Sequence, residues 1–247
     1  MEYGDLNLRL NNSFQEYHNR IRELKDIHKG ERCFIMGCGP SIKNQDLSRL
    51  ENEIVIGVNH SYKICDKYNI KFKYYTVCDY GNTWKSDNKE IINLNTILFL
   101  GDLSANDYFK NIDYYKNIQK SEVILLKKGK EIISDNEFEW KNKNILDGFL
   151  QCVHTPAAFT LPLMYHLGFK EVYLIGIDMN YLMKDNYFYG SRIPNRKMFD
   201  TSYYERSSKE FGGIGKAFEN ANRKVYNATL GGNLNTLERK SLDEIKW

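Results

Sequence analysis

The sequence predicts an α/β fold: a mainly parallel sheet with helices on both faces and a C-terminal lid segment. Three observations point that way. Short apolar runs bounded by turn residues recur along the chain, as in strands buried on both faces. Stretches with helical spacing of apolar residues fall between those runs, the alternation of a parallel sheet. The run Arg32-Cys33-Phe34-Ile35-Met36 leads straight into Gly37-Cys38-Gly39-Pro40-Ser41, a glycine-bearing turn of the kind that follows a strand at a ligand-binding sheet edge.

Taken in order, residues from Asn12 to His28 are polar with apolar residues at Phe14, Tyr17, Ile21 and Leu24. That spacing is helical, and Gly30 ends it. Cys33–Met36 is the first strand, and Asp46–Leu50 a short helix. Glu53–Asn59 is the second strand, Ser61–Tyr68 a helix, and Tyr74–Asp79 a third strand ending in a carboxylate. Thr96–Leu100 and Glu122–Leu126 are further strands. Pro156–Leu167 is an apolar helix closed by Gly168, and Glu171–Asp178 is the strongest strand of the chain. Asn180–Lys209 is rich in Tyr, Asn and Arg without a clean period, the profile of a long functional loop. Ile214–Asn222 reads as a helix and Lys224–Thr229 as a last strand. The expected organisation is an N-terminal helix over residues 1–29 and one domain over 30–247, with the lid at about 180–210.

A chain of 247 residues with 42% hydrophobic and 27% charged residues is long enough to bury a sizeable core and is not disordered. A formal charge of +3 is too small to argue for a nucleic-acid partner. The five cysteines, Cys33, Cys38, Cys65, Cys78 and Cys152, are odd in number and lack CxxC spacing, so buried thiols in a reducing compartment are expected and a zinc site is not. No apolar stretch approaches the ~18 residues of a membrane span, and the polar N-terminus is no signal peptide. The expectation is therefore a cytoplasmic protein, with docking at the inner membrane face or on a partner hinted at by Trp247 and homo-oligomerisation left open. The 18 tyrosines suit a site that stacks bases or sugars, or equally the filling of strands.

In a parallel sheet, ligands bind at the carboxyl ends of the strands. The polar groups there are Gly37–Ser41, Asn59-His60-Ser61, Asp79-Tyr80 and Asp178–Tyr181. Gly37 and Gly39 allow a tight turn, Pro40 suits a first helical position, and the amides up to Ser41 would cradle a phosphate. The turn is neither a dinucleotide fingerprint nor a Walker loop, and packing alone is the competing reading.

The segments Gly37-Cys38-Gly39-Pro40-Ser41-Ile42-Lys43, Val58-Asn59 and Gly168–Asp178 resemble those of bacterial lipooligosaccharide sialyltransferases and of motility-associated flagellin glycosyltransferases. The nearest likeness is to the MptE-like group, named for an archaeal 6-hydroxymethyl-dihydropterin diphosphokinase, whose members often end like Val225–Leu234. The likeness covers roughly residues 30–240. It implies a Rossmann-like domain with a lid over a nucleotide site. By motif it assigns the nucleotide to Gly37, Gly39, Ser41 and Asn59, to Thr155 and Pro156 opening the central helix, and to Tyr181 and Tyr187 on the phosphate; Cys38, Pro40 and Asp178 beside them are further nucleotide-binding candidates. The sialyltransferases place a catalytic histidine in the lid. This chain has none after His166, and the matching segment near Thr201-Ser202-Tyr203-Tyr204 carries tyrosines.

His154, at the mouth of the central helix, and Asp79, at a strand end, are the candidate bases for an acceptor hydroxyl. His60 is a weaker one, and His18, His28 and His166 read as surface or core. A helix cap or a bond to the glycine turn competes for Asp178. Asp79 has no obvious cap role. Arg192, Arg196 and Arg206 in the lid suit a phosphate or a sugar carboxylate, or plain surface, and Glu238 and Arg239 look structural. The leading expectation is a glycosyltransferase that uses a nucleotide-activated sugar, a CMP-linked sialic-acid-like donor, to modify a bacterial surface glycan, with no cofactor or metal. The alternatives are an ATP- and Mg²⁺-dependent diphosphokinase, with Asp79 and Asp178 holding the metal, and a non-catalytic nucleotide-sugar-binding protein.

Overall fold

The computed structural model describes residues 16–128, 149–150, 155–180, 185–190 and 201–247. Among them, nine strands form one sheet: β1 (Arg32–Met36), β2 (Val55–Val58), β3 (Phe72–Val77), β4 (Ile97–Gly101), β5 (Glu122–Lys128), β6 (Phe149–Leu150), β7 (Glu171–Ile175), β8 (Lys224–Asn227) and β9 (Glu238–Arg239). Their order is β6-β5-β4-β3-β2-β1-β7-β8-β9, and every neighbouring pair is parallel. The fold class read from the sequence, a Rossmann-like α/β sheet, is what the chain adopts.

Alternation along the strands assigns side chains to the two faces. Cys33 and Ile35 of β1 join Val172 and Leu174 of β7 in one apolar cluster, together with Tyr74 of β3. Phe34, Met36, Tyr75, Tyr173 and Ile175 belong to the other cluster. The first face is covered by α1 (residues 16–23), α6 (Pro156–Leu167) and α7 (Thr201–Asn220). Ten of the twelve residues of α6 are buried, which is why it reads as apolar all round. Gly168 ends it in the left-handed region at φ 96°, where a side chain would also meet the Asp26 backbone at 2.8 Å. The second face is covered by shorter pieces: α2 (Cys65–Tyr68), α3 (Lys85–Ile92), α4 (Asp102–Lys110), α5 (Ile112–Ile118) and several single turns.

Some local expectations are corrected. The expected loop of 180–210 is helical from Thr201, where α7 begins thirteen residues earlier than Ile214. Glu205, Arg206, Lys209, Lys216 and Glu219 are exposed while Ser207, Phe211, Ile214 and Phe218 are buried, so glycines and surface charge hide the period. Ser61–Tyr68 divides into a 3-10 turn, Ser61–Ile64, and α2. Asp46–Leu50 narrows to the 3-10 turn Ser48–Leu50.

Trp247 has an intramolecular berth. Its ring stacks on buried Phe34 (centroids 5.6 Å apart, 7° between planes), with the guanidinium groups of Arg32 and Arg49 5.3 and 5.7 Å from its centre, and its Nε1 donates to the Leu242 carbonyl at 3.1 Å. The stack continues from Phe34 to Tyr173 and Tyr226. A partner is not needed to explain this tryptophan. No helix among the described residues is long and apolar enough to cross a membrane. Cys33, Cys38, Cys65 and Cys78 are reduced thiols, and Cys152 lies outside the described residues.

Candidate functional site

β1 is the switch point of the sheet: the chain runs outward through β2 to β6 on one side and continues through β7, β8 and β9 on the other. The crevice at the carboxyl ends of β1 and β7 is where such a sheet offers a ligand site. Here the glycine turn closes it. Gly37 N–H donates to the Ile175 carbonyl at 2.8 Å and Gly39 N–H to the Gly176 carbonyl at 2.8 Å. Ser41 gives its amide to Asp178 Oδ1 at 3.1 Å and its hydroxyl to Oδ2 at 2.8 Å. A methyl on Gly39 would lie 1.8 Å from that carboxylate.

This corrects the expectation that Gly37, Gly39 and Ser41 hold out their amides to a phosphate. The Asp178 carboxylate takes the position of an anion, and the glycines are needed so that two turns can approach closely. Pro40 opens a five-residue 3-10 turn, Pro40–Asn44, and not an α-helix. Burial pushes the Asp178 carboxyl above its ordinary range, against the pull of the two Ser41 bonds. Of the structural readings of Asp178, cap or bond to the glycine turn, the bond is the one observed.

An open acceptor lies one strand over. Asn59 follows β2 in the left-handed region at φ 51°, a conformation asparagine tolerates better than most residues. Its amide donates to the Thr76 carbonyl at 3.1 Å and its carbonyl accepts from the Tyr75 hydroxyl at 2.5 Å. Its side chain is different: Oδ1 is buried without a partner, and the residue is 9% exposed. An orphaned buried acceptor costs about 1–3 kcal/mol, and a native site that keeps one calls for a reason.

α6 is joined to the neighbouring strand β3. Thr76, which Asn59 bonds, is joined through its hydroxyl to Thr160 at 2.6 Å. One turn before Thr160, Thr155 caps the helix by accepting from Ala158 N–H at 3.2 Å, with Pro156 at the first helical position. This twelve-residue helix, with its positive end at Thr155, is thus tied to the strand that Asn59 bonds.

A short strap, residues 185–190, crosses above. Phe188 N–H donates to the Cys38 carbonyl at 2.9 Å, and the Cys38 thiol leans on the Val58 carbonyl at 3.5 Å. Burial pushes the Cys38 thiol up to about 12, so it is inert as a nucleophile. The Tyr187 phenol is likewise raised to about 12, by burial first and then by Cys38 and Asp79 beside it. It remains a hydrogen-bond donor at neutral pH. Asn186 repeats the Asn59 signature: it is 7% exposed and its Oδ1 has no partner. The sequence reading missed Asn186 and Tyr189. The only local signal was the aromatic density of Tyr187-Phe188-Tyr189.

Asp79 has the cap role it was expected to lack. It opens the π-turn Tyr80–Trp84 by accepting from Asn82 N–H at 3.1 Å and Asn82 Nδ2 at 3.2 Å. Asp79 and Asp178, the pair expected to share a magnesium ion in the diphosphokinase reading, are each engaged with a turn, through Asn82 and Ser41. Among the described residues, no three His, Cys, Asp or Glu side chains gather as a metal-holding group. His154, Tyr181, Arg192 and Arg196 lie outside the described residues. Arg206 is exposed on α7. His28 and His166 are structural: His28 bonds Glu31 and Tyr74 and stacks on Phe169, and His166 bonds the Ile21 carbonyl. Arg239 spans the carbonyls of Thr229, Gly231 and Gly232, tying the loop whose Asn233 N–H donates to the Asp178 carbonyl.

Residues 8–184 match the family model described as 6-hydroxymethylpterin diphosphokinase MptE-like. The match takes in β1, β2, β3, β7 and the helix α6 between them. No curated protein matches the chain.

Proposed function

The chain belongs to the MptE-like family, and from that premise we propose that it is a transferase whose nucleotide-bearing substrate sits at the carboxyl ends of β1, β2 and β3 with Asn59 as its anchor. The observation that carries this reading is the buried Asn59 Oδ1 without a partner. A ligand N–H or O–H would satisfy it, and the amide offers a donor beside it. The opening turn of α6 adds its partial positive charge for a phosphate. The protonated Tyr187 phenol would donate to that phosphate as it departs.

The finer reading is transfer of a sugar from a nucleotide-activated donor, a CMP-linked sialic-acid-like sugar, to a glycan acceptor. Displacement at an anomeric carbon gains chiefly from orientation and from stabilising the leaving phosphate. That needs neither a metal nor the amides of the glycine turn. His154 or Asp79 would take the acceptor proton, Asp79 at the expense of its bond to Asn82.

A second reading is diphosphate transfer to a hydroxymethyl pterin, which the description of the family favours. It calls for ATP and Mg²⁺, and Asp79 and Asp178 are poorly disposed to hold that ion, being engaged with Asn82 and Ser41.

Thermal shift separates the readings. A ligand at a hundred times its Kd adds about 2.7 kcal/mol to native stability. CMP raising the melting temperature without metal, and a CMP-sugar releasing CMP in the presence of acceptor, support sugar transfer. A response to ATP that requires Mg²⁺ supports the second reading. No response to CMP, CDP, UDP or ATP would sink the nucleotide site altogether.

A further inference from the structure

Beside Asn59 lies a cluster that neither the sequence motifs nor the family match accounts for. His60 is 2% exposed. Its Nε2 is 3.2 Å from Asp87 Oδ2, close to that carboxylate but out of hydrogen-bond alignment with it. Its Nδ1 is 3.2 Å from the Tyr189 hydroxyl and 3.3 Å from the Thr83 hydroxyl, and its ring is 5.1 Å from the Tyr189 ring. Asp87 is itself fixed, accepting from the Tyr62 hydroxyl at 2.7 Å and pairing with Lys63 Nζ at 2.7 Å. Lys63 Nζ also lies 5.3 Å from the centre of the Tyr189 ring. Tyr189 stacks on Tyr187, 5.2 Å away with 2° between the planes.

These contacts order one another. An ionised Asp87 favours the proton on Nε2, as a carboxylate does for the histidine it faces, and leaves Nδ1 as an acceptor. Nδ1 can then receive the Tyr189 hydroxyl, and the parallel stack carries that constraint to Tyr187. The strap is also tied by the Phe188 N–H to the Cys38 carbonyl and by the Phe188 ring buried in the apolar cluster of the second face. It also lies beyond residue 184, where the family match ends. We propose that His60 is a positioning residue that locks the 185–190 strap, and with it Tyr187 and Asn186, over the site. That this site takes a nucleotide rests on the function proposed above; that His60 fixes the strap does not.

Hydrogen exchange of the full chain tests it, comparing wild type, His60→Phe, His60→Asn and Tyr189→Phe. His60→Phe keeps a ring without nitrogens, and His60→Asn restores an acceptor near the Nδ1 position. The Phe188 amide should exchange at least tenfold faster in His60→Phe and in Tyr189→Phe, and His60→Asn should recover most of the protection. The double variant His60→Phe/Tyr189→Phe should be no worse than either single change. Should His60→Phe fail to fold, Tyr189→Phe carries the comparison, since it removes one hydroxyl from a half-buried ring. Whichever of CMP, CDP, UDP or ATP binds the wild type should lose at least tenfold in affinity in His60→Phe, with recovery in His60→Asn. Equal strap exchange in all variants overturns the proposal, as does a loosened strap with unchanged affinity. If none of the four nucleotides binds the wild type while strap exchange still follows His60, the lock stands and the nucleotide reading falls.

Discussion

Ser41 and Asp178 clasp each other across the switch point of the sheet, with the serine amide 3.1 Å from Oδ1 and its hydroxyl 2.8 Å from Oδ2. The clasp joins the turns after β1 and β7, and it converts a would-be anion cradle into a structural joint. Asp178→Ala would leave two buried Ser41 donors unsatisfied, for an expected loss of about 2–4 kcal/mol. Asp178→Asn keeps one acceptor and should lose about half as much. Urea unfolding of the two variants measures this; a loss below about 0.5 kcal/mol for Asp178→Ala would mean that the clasp is incidental.

Gly39 is the residue that lets the clasp close. A methyl placed there would sit 1.8 Å from Asp178 Oδ2 and 2.7 Å from the Gly176 carbonyl, and backbone cannot yield cheaply. Gly39→Ala should therefore cost at least about 3 kcal/mol. Gly81, where an added methyl meets nothing within 4 Å, is the control. Gly81→Ala should be neutral within about 0.5 kcal/mol. Melting temperatures of both variants decide the matter.

Asp87 gives a prediction with a defined pH direction. Burial alone would raise its carboxyl, but the bonds from Lys63, Ser86 and Tyr62 and the neighbouring His60 outweigh burial and hold it well below the usual carboxylate range. A depressed folded value means stability that is present above the unfolded pKa of about 3.9 and is lost as pH falls towards the folded value. Asp87→Asn should cost about 2–3 kcal/mol at pH 7. The gap between wild type and variant should narrow below pH ~4, where the wild type gives up the same contribution. A gap that stays constant from pH 7 to pH 3 would mean that the charge of Asp87 does not matter to folding.

Trp247 covers one face of Phe34, a residue with no exposed surface, while remaining 45% exposed itself. Trp247→Ala should cost about 1–2 kcal/mol, less than a buried tryptophan would because half its surface is already in water. Trp247→Phe should recover most of the loss. If chemical denaturation places Trp247→Ala level with wild type, the stack contributes nothing and docking elsewhere becomes the better account of this residue.

The buried half of this fold was legible in the sequence and the wet half was not. Cys33–Met36, Glu171–Ile175 and Pro156–Leu167 stood out because both faces of those elements are covered, and uninterrupted apolar character needs no period to be noticed. Helices α3, α4 and α5 were missed. They are rich in Lys, Asn and Asp, and α3 is broken at Asp87, so their few apolar residues trace no stripe. At the site, Asn59 was legible because it ends an obvious strand. The Asp178 bond to the glycine turn was one reading the sequence left open, beside a helix cap and a role in ligand binding. The link between His60 and Tyr189 spans 129 residues. No local pattern carries such a contact; it exists only once the strap has crossed the sheet edge.

Asn59→Gly is the most direct test of the central claim. Glycine accepts φ 51° without strain and removes the orphaned Oδ1, so stability should stay within about 1 kcal/mol of wild type. Calorimetric titration of both proteins with CMP and with ATP–Mg²⁺ then reads the amide alone. The account predicts that the nucleotide bound by wild type binds the variant at least tenfold more weakly. Equal affinity in the two proteins, or heat from neither nucleotide in the wild type, would contradict it.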